Sequence, residues 1–299
     1  MEKLFNNKRA GLALLVLIYV LAAFLGIVLF IVFEKLELNI LINILICDAI
    51  ATVVVWLFGV ILKSASIYDP YWSVQTAVIY TALLIKFNAW NLGSILFLSA
   101  LLFWAIRLTV NFAVGFGNLR YIDWRYKMLK EKTGVFYQLV NLLGICMFPT
   151  MVVYLASVPF FIYAIDGYDF NPIQIIGLII MVGATLLELV SDIHMKQFIK
   201  TRKDRSEIIN VGLWKYSRHP NYLGEISFWF GALFVLLFTN FNMWYWSFGA
   251  IINLIMFLVI SIPMEENHIK EYKPGFMEYK KTTSMLLILP RRKPQDSIN

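Results

Sequence analysis

Long uninterrupted runs of apolar residues dominate this chain, and short polar segments separate them. About 20 apolar residues are enough for a helix to cross the hydrocarbon core of a bilayer. Continuous rather than alternating runs argue against a β-barrel and favour membrane helices. The third of these runs is short and the last two are barely separated, so seven spans are an alternative to eight. The eight predicted spans are residues 10–33, 40–63, 71–87, 90–115, 136–165, 172–190, 223–240 and 243–263.

Composition supports the same fold class. Hydrophobic residues make up 60% of the 299 positions and charged residues 15%, whereas soluble domains average roughly half and about a quarter. The first run is long and no small-residue cleavage site follows it, so we interpret it as a retained span rather than a signal peptide. Cys47 and Cys146 lie inside spans and are interpreted as small apolar core residues. We predict an all-α, polytopic transmembrane helical bundle of seven to eight spans.

Positive charge is concentrated on one side of the predicted membrane. With eight spans and the N-terminus inside, the cytoplasmic segments hold 23 of the 26 lysines and arginines. This asymmetry is the positive-inside pattern, and it predicts that both termini are cytoplasmic. The net charge of +7 is interpreted mainly as topology and attraction to anionic membrane lipids. Binding of nucleic acid is not expected, because the basic residues lie between spans, whereas a phosphate-bearing ligand remains open.

Ionisable residues in and beside the spans are candidates for chemistry. Arg107 falls inside the fourth span, where an arginine is costly unless it has a partner. Asp123 and Arg125 follow the exit of that span. Asp192 and Lys196 follow the sixth span at the i, i+4 spacing of a helix face. A plain salt bridge at a helix end is the alternative, and it fits the outer lysines better than Asp192.

The stretch GLWKYSRHPNYLGE, before the seventh span, is the densest polar segment. Five of its side chains border the apolar run: Arg218, His219, Asn221, Tyr222 and Glu225. Arg218 and His219 are donors suited to phosphate. The other three share a face if a helix begins here, with Glu225 turned towards the cytoplasmic mouth of the span. Placing several polar side chains at the edge of a bilayer costs free energy, so we interpret the stretch as a binding site.

Three further positions follow the last span. His268 and Tyr272 stand four residues apart, on one face of a helix. Tyr279 is interpreted as an anchor at the membrane interface.

Together these motifs resemble the steroid 5-alpha-reductase-like membrane reductases, in particular their bacterial branch. NYLGE at 221–225 resembles the cofactor-binding stretch of that family. GLWKYSRHPNYLGE, WAIRLT at 104–109 and DWRY at 123–126 resemble the bacterial branch. Asp192 with Phe198, and the pair Tyr272 and Tyr279, also fit. The resemblance covers about residues 66–290.

The resemblance implies a helical bundle that binds NADPH from the cytoplasm. It implies reduction of a carbon–carbon double bond conjugated to a carbonyl, in a lipid or steroid-like enone. No metal site is expected. The cofactor contacts it implies are Asp192, Asn221, Glu225, His268 and Tyr272, with Arg107, Lys196 and Arg218 as additions. We also predict contacts from Asp123, Arg125, His219 and Tyr222.

Enzymes of that family use a carboxylate and a tyrosine to polarise the ketone. The resemblance implies Asp69, from SIYDPYW, as the carboxylate. Trp104 stands where the tyrosine is expected, and an indole has an N–H donor but no hydroxyl. Tyr71 is therefore the catalytic tyrosine that we predict, with Tyr68 as the alternative.

The resemblance also predicts the organisation of the chain. Residues 1–65 would form N-terminal transmembrane helices and residues 66–299 a reductase-like domain, with its cofactor-binding half at about 190–290. We expect a monomer in a bacterial cell membrane, with a lipid or steroid-like substrate as its small-molecule partner.

Two other interpretations stay open. Membrane methyltransferases of the isoprenylcysteine carboxyl and phospholipid type also show RHP-x-Y-x-G and a glutamate pair before a late tyrosine, and they use S-adenosylmethionine. This chain has RHPNYLG and the pair Glu265–Glu266, although Asn221, Glu225 and DWRY favour the reductase. A transporter or sterol-sensing scaffold is the third interpretation. Against it, the polar residues gather at one face and no inverted repeat is evident.

Overall fold

The computed structural model describes residues 6–291. This part of the chain is helical, and an isolated parallel bridge pairs Ser217 with Ser284. Seven helical stretches within it are long and apolar enough to cross a membrane. The predicted all-α class is confirmed, and the helices are those of a multi-pass membrane protein. The described residues divide between Asn171 and Pro172 into two compact units, the N-terminal unit and the C-terminal unit.

Six main helices build the N-terminal unit: α1 (Lys8–Phe33), α2 (Ile40–Ile61), α3 (Tyr71–Phe87), α4 (Leu92–Gly115), α5 (Trp124–Thr133) and α6 (Phe148–Ile165). A short helix, Tyr137–Val140, and a π-helical segment, Asn141–Met147, lead from α5 into α6. Asparagine side chains accept first-turn N–H groups at the starts of α1, α2 and α4, and these caps fix where the helices begin. They are Asn7, Asn39 and Asn91.

The core of the N-terminal unit lies where α3 packs against α4 and α6. Phe97 stacks on Phe160 with ring centroids 4.0 Å apart, and Tyr80 meets Phe160 edge-on at 5.3 Å. At the start of α4, a Cβ on Gly93 would lie 2.0 Å from the Tyr163 hydroxyl oxygen. The absence of a side chain at Gly93 therefore lets α4 begin against α6.

Five helices build the C-terminal unit: α7 (Gln174–Thr201), α8 (Pro220–Thr239), α9 (Ser247–Met256), α10 (Ile262–Tyr272) and α11 (Phe276–Thr282). A π-helical turn, Phe257–Ser261, continues α9 into α10. α7 packs along α8, and glycines bring the two backbones close. A Cβ on Gly177 would lie 2.8 Å from the carbonyl oxygen of Gly231.

Apolar runs predict the spans better than they predict where helices end. α3 coincides with the predicted span 71–87. In contrast, α7 continues to Thr201 and α10 to Tyr272, beyond the predicted ends at residues 190 and 263. An apolar run marks only the part of a helix that lies in the hydrocarbon core of the bilayer. The helix itself continues through polar residues that are good helix formers. Both extensions carry candidate site residues.

Candidate functional site

A buried ion cluster centred on Glu266 holds residues 218–219, which lead into α8, in place. Arg218 Nε donates to Glu266 Oε1 at 2.7 Å, and His219 Nε2 lies 3.2 Å from the same oxygen. Lys280 Nζ lies 2.6 Å from Glu266 Oε2. Arg218 is 8% exposed and Glu266 4% exposed. Charges persist at such depth only when they are paired, so one carboxylate joins the entry of α8 to α10 and α11.

The rest of the Arg218 guanidinium is also occupied. Its Nη1 donates to the carbonyl oxygens of Lys280 at 3.0 Å and Thr283 at 2.6 Å. The backbone N–H of Arg218 donates to Ser284 at 2.9 Å. This differs from the predicted contact with phosphate, because the guanidinium is buried and bound by protein groups. Arg218 holds the loop in place and acts in this geometry as a positioning residue.

Tyr279 reinforces the same loop from α11. Its hydroxyl donates to the carbonyl oxygen of Trp214 at 2.5 Å and lies 3.3 Å from that of Ser217. The side chain is 7% exposed, and burial raises its pKa above the usual range. The prediction that Tyr279 anchors the chain at the membrane interface is therefore wrong, because the hydroxyl is used inside the protein.

The turn Gly212–Lys215 is fixed to the C-terminal extension of α7. Gly212 has a φ of 54°, and a Cβ there would lie 2.3 Å from His194 Nδ1. The same nitrogen accepts from Leu213 N at 3.3 Å. Trp214 Nε1 donates to the Ser191 carbonyl at 2.9 Å. A glycine at this turn thus allows the loop to approach α7.

The first turns of α8 present three of the predicted residues. Pro220 occupies the first helical position, where its missing N–H costs nothing. Tyr222 stacks on His219, with centroids 5.2 Å apart and planes 5° apart. Glu225 accepts from Trp229 Nε1 at 2.8 Å. Asn221 Oδ1 is buried and has no hydrogen-bond partner among residues 6–291, and a buried acceptor left in this state points to a ligand.

The remaining predicted residues of the C-terminal unit lie on α7 and α10. Asp192 and Lys196 are half-buried on α7, next to the turn that holds Trp214. His268 and Tyr272 share α10 with Glu266, and their ring centroids are 5.1 Å apart. Tyr272 remains exposed.

In the N-terminal unit, Asp69, Asp123 and Arg125 come together. The Tyr126 hydroxyl donates to Asp69 Oδ1. Arg125 binds both carboxylate oxygens of Asp123, at 2.8 Å and 3.2 Å. Desolvation is the largest influence on Asp69 and raises its pKa to about 7, against the opposing effects of Tyr126 and Arg125. This carboxyl group can therefore hold or release a proton near neutral pH. Arg107 is buried on α4.

The two predicted catalytic residues have different surroundings. Tyr71 lines a cavity of about 390 Å³ between α1, α2 and α3. Asp69 lies outside that lining, and the carboxyl group that lines the cavity with Tyr71 belongs to Asp48. Sequence reasoning missed Asp48, although the cost argument that singled out Arg107 applies equally to an acid in the second span. It also missed Glu266 as a site residue, although the glutamate pair was visible.

Comparison with known proteins gives a family. No curated protein and no solved structure matches the chain. The model of a family described as protein of unknown function (DUF1295) matches residues 55–283. Since this match covers most of the chain, the protein belongs to the DUF1295 family.

Proposed function

We propose that this protein is an NADPH-dependent membrane reductase of the steroid 5-alpha-reductase-like kind, which reduces the conjugated double bond of a lipid enone. The observation that carries the proposal is the pair of features at the start of α8. A buried ion cluster fixes the loop, and Asn221 Oδ1 lies beyond it as a buried acceptor without a partner in the described chain. Rigid support behind an unsatisfied polar atom is typical of a binding site.

The residues present are compatible with a dinucleotide. Asn221 Oδ1 would accept a hydrogen bond from the carboxamide N–H of nicotinamide. Lys200, Lys203 and Arg205 are exposed at the end of α7 and just after it, and such side chains suit phosphate groups. Arg218 would not contact the cofactor; through its bonds to Glu266 and Thr283 it would hold the loop that precedes Asn221.

NADPH, when bound, would supply the hydride that is added to the β-carbon of the enone. The protein would place a hydrogen-bond donor at the carbonyl oxygen, where negative charge develops. Tyr71 is the proposed donor, and Asp69 is a candidate source of the proton that completes the α-carbon. Apolar walls around the reacting carbons would exclude water.

Cofactor binding tests the proposal. Purified protein in detergent micelles is heated with NADPH, NADH or S-adenosylmethionine, since a ligand that binds only the native state raises the melting temperature. We expect NADPH to stabilise the wild type and Asn221→Ala to remove at least half of that shift. Asn242→Ala, at an exposed position beyond α8, is the control and should keep the full shift. A lipid-enone screen then follows the oxidation of NADPH.

One observation favours the methyltransferase as a second candidate. The RHP segment and the glutamate pair, which that class shares, meet here through Arg218, His219 and Glu266. Stabilisation by S-adenosylmethionine and not by NADPH would replace the reductase by this alternative. Stabilisation by neither would remove both.

A further inference from the structure

We infer that the cavity between α1, α2 and α3 binds an apolar lipid that carries one buried hydroxyl or ketone oxygen, recognised by Asp48 and Gln75. This inference deepens the proposed function, because it rests on that function for the identification of the bound lipid as the substrate. Asp48 and all of α1 precede residue 55, where the match to the family model begins. The site is therefore built in part from residues that the family model does not describe.

The size and lining of the cavity suit a lipid body. Its volume is about 390 Å³, within the roughly 300–1,000 Å³ of small-molecule sites. Most of the lining is aliphatic or aromatic, with small residues such as Ala23 and Ala82 leaving the space open. An apolar molecule gives up few hydrogen bonds to water when it enters such a site. A strongly polar molecule would lose its hydrogen bonds to water without replacing them.

Besides the Glu34–Lys86 pair at one end, two buried polar side chains interrupt the apolar lining. Asp48 and Gln75 line the cavity and are each only 5% exposed. Asp48 Oδ2 and both polar atoms of the Gln75 amide lack hydrogen-bond partners in the described part of the chain. Buried polar atoms without hydrogen-bond partners destabilise the folded protein. A ligand oxygen that accepts a hydrogen bond from the Gln75 amide would remove part of this destabilisation. A ligand hydroxyl would also donate a hydrogen bond to Asp48 Oδ2.

The ends of the cavity define the length of the ligand. Gln75 lies in the first turns of α3, and Lys86 lies at its other end, where it pairs with Glu34, the residue that follows α1. At roughly 1.5 Å per residue, the distance between Gln75 and Lys86 along α3 is about 16 Å. Glu34 and Lys86 both line the cavity. A ligand with its oxygen at one end and an elongated hydrocarbon body behind it matches this arrangement.

Binding of matched sterols tests the inference, with the full chain in detergent micelles and without NADPH. Native mass spectrometry compares cholest-4-en-3-one and cholest-4-en-3-ol with cholest-4-ene, which lacks the oxygen. We expect the oxygenated sterols to bind about tenfold more tightly, as one additional buried hydrogen bond would give. Gln75→Leu should reduce the difference to less than about threefold. Equal binding of all three sterols to the wild type would overturn the inference.

Cavity-filling variants test the location. Ala82→Trp on α3 and Ala23→Trp on α1 should each abolish binding of the oxygenated sterols, so that one variant suffices if the other fails to fold. Leu57→Trp is the matched control, because Leu57 is exposed on α2 and outside the lining, and it should bind as the wild type does. A folded Ala82→Trp or Ala23→Trp variant with wild-type sterol binding would refute the site.

The two proposals can fail separately. If the sterol results are as expected and NADPH does not bind, the reductase proposal fails and the cavity remains a lipid site. If NADPH binds and the cavity variants leave sterol binding unchanged, the reductase proposal stands and this inference fails.

Discussion

At the scale of single residues, Glu266 links three basic side chains of the C-terminal unit. Arg218, His219 and Lys280 all contact its carboxylate. Glu266→Gln keeps the size of the side chain and removes its charge. Breaking a buried ion pair leaves a charge uncompensated and costs about 3–5 kcal/mol. We expect the melting temperature to fall by about 5–10 °C and the NADPH-dependent shift to shrink, both measured by thermal unfolding in detergent.

The same substitution at Glu271 is the control for that prediction. Glu271 lies on α10 as well, but its side chain is 75% exposed and its contact with His268 is 3.5 Å long. Exposed pairs of this kind are worth little, so Glu271→Gln should melt within about 1 °C of the wild type. A Glu266→Gln protein as stable as the Glu271→Gln protein would show that the cluster does not hold the loop.

At the scale of elements, the close approach of α7 and α8 depends on glycine. Gly177→Ala would place a Cβ 2.8 Å from backbone atoms of α8, at Gly231 and Val235. The helices would have to separate, at a cost of about 1–3 kcal/mol. Gly183→Ala, also on α7, meets nothing within 4 Å and should be neutral or slightly stabilising, because alanine favours helices. Thermal unfolding of the two variants checks the difference; equal stabilities would contradict this packing.

At the scale of the whole molecule, the number of membrane crossings depends on α3. This helix has 17 residues, slightly fewer than the usual length of a span. Contacts within the N-terminal unit nevertheless place it along α1. Tyr19 donates to the Ile67 carbonyl near the start of α3, and Glu34 pairs with Lys86 near its end. Tyr19 and Glu34, the residue that follows α1, are separated by about 22 Å of helix, so we predict that α3 crosses. With α3 the spans number eight, and the positive-inside pattern then predicts that both termini are cytoplasmic.

Labelling of single cysteines from outside the cell tests this topology. Trp90→Cys, after α3, should react with an impermeant maleimide on intact cells, and Arg120→Cys, after α4, only after lysis. Lys35→Cys precedes α3 and should react from outside in either topology, so it is the control. Cys47 and Cys146 are buried, which keeps background labelling low. Reversed accessibility at residues 90 and 120 would show that α3 does not cross.

Part of the candidate site was visible in the sequence. The polar side chains of residues 218–225 stand out because they border an apolar run, and the structure places them at a fixed loop and helix start. Their individual tasks were not visible. Arg218 carries the same charge whether it binds phosphate or Glu266, and only its 2.7 Å contact with Glu266 decides between these uses. The NADPH, substrate and cytoplasmic-orientation assignments stay predictions.

The helical membrane fold and the approximate positions of the spans follow from the amino-acid sequence alone. They do so because lipid requires each span to be apolar and to satisfy its own backbone hydrogen bonds, and both requirements are local. Which distant residues meet is visible only in the folded chain. Asp48, rather than Asp69, lines the cavity with Tyr71, and Glu266 pairs with Arg218 across 48 positions of the chain. Such pairings depend on how helices pack, and no local pattern of residues specifies that packing.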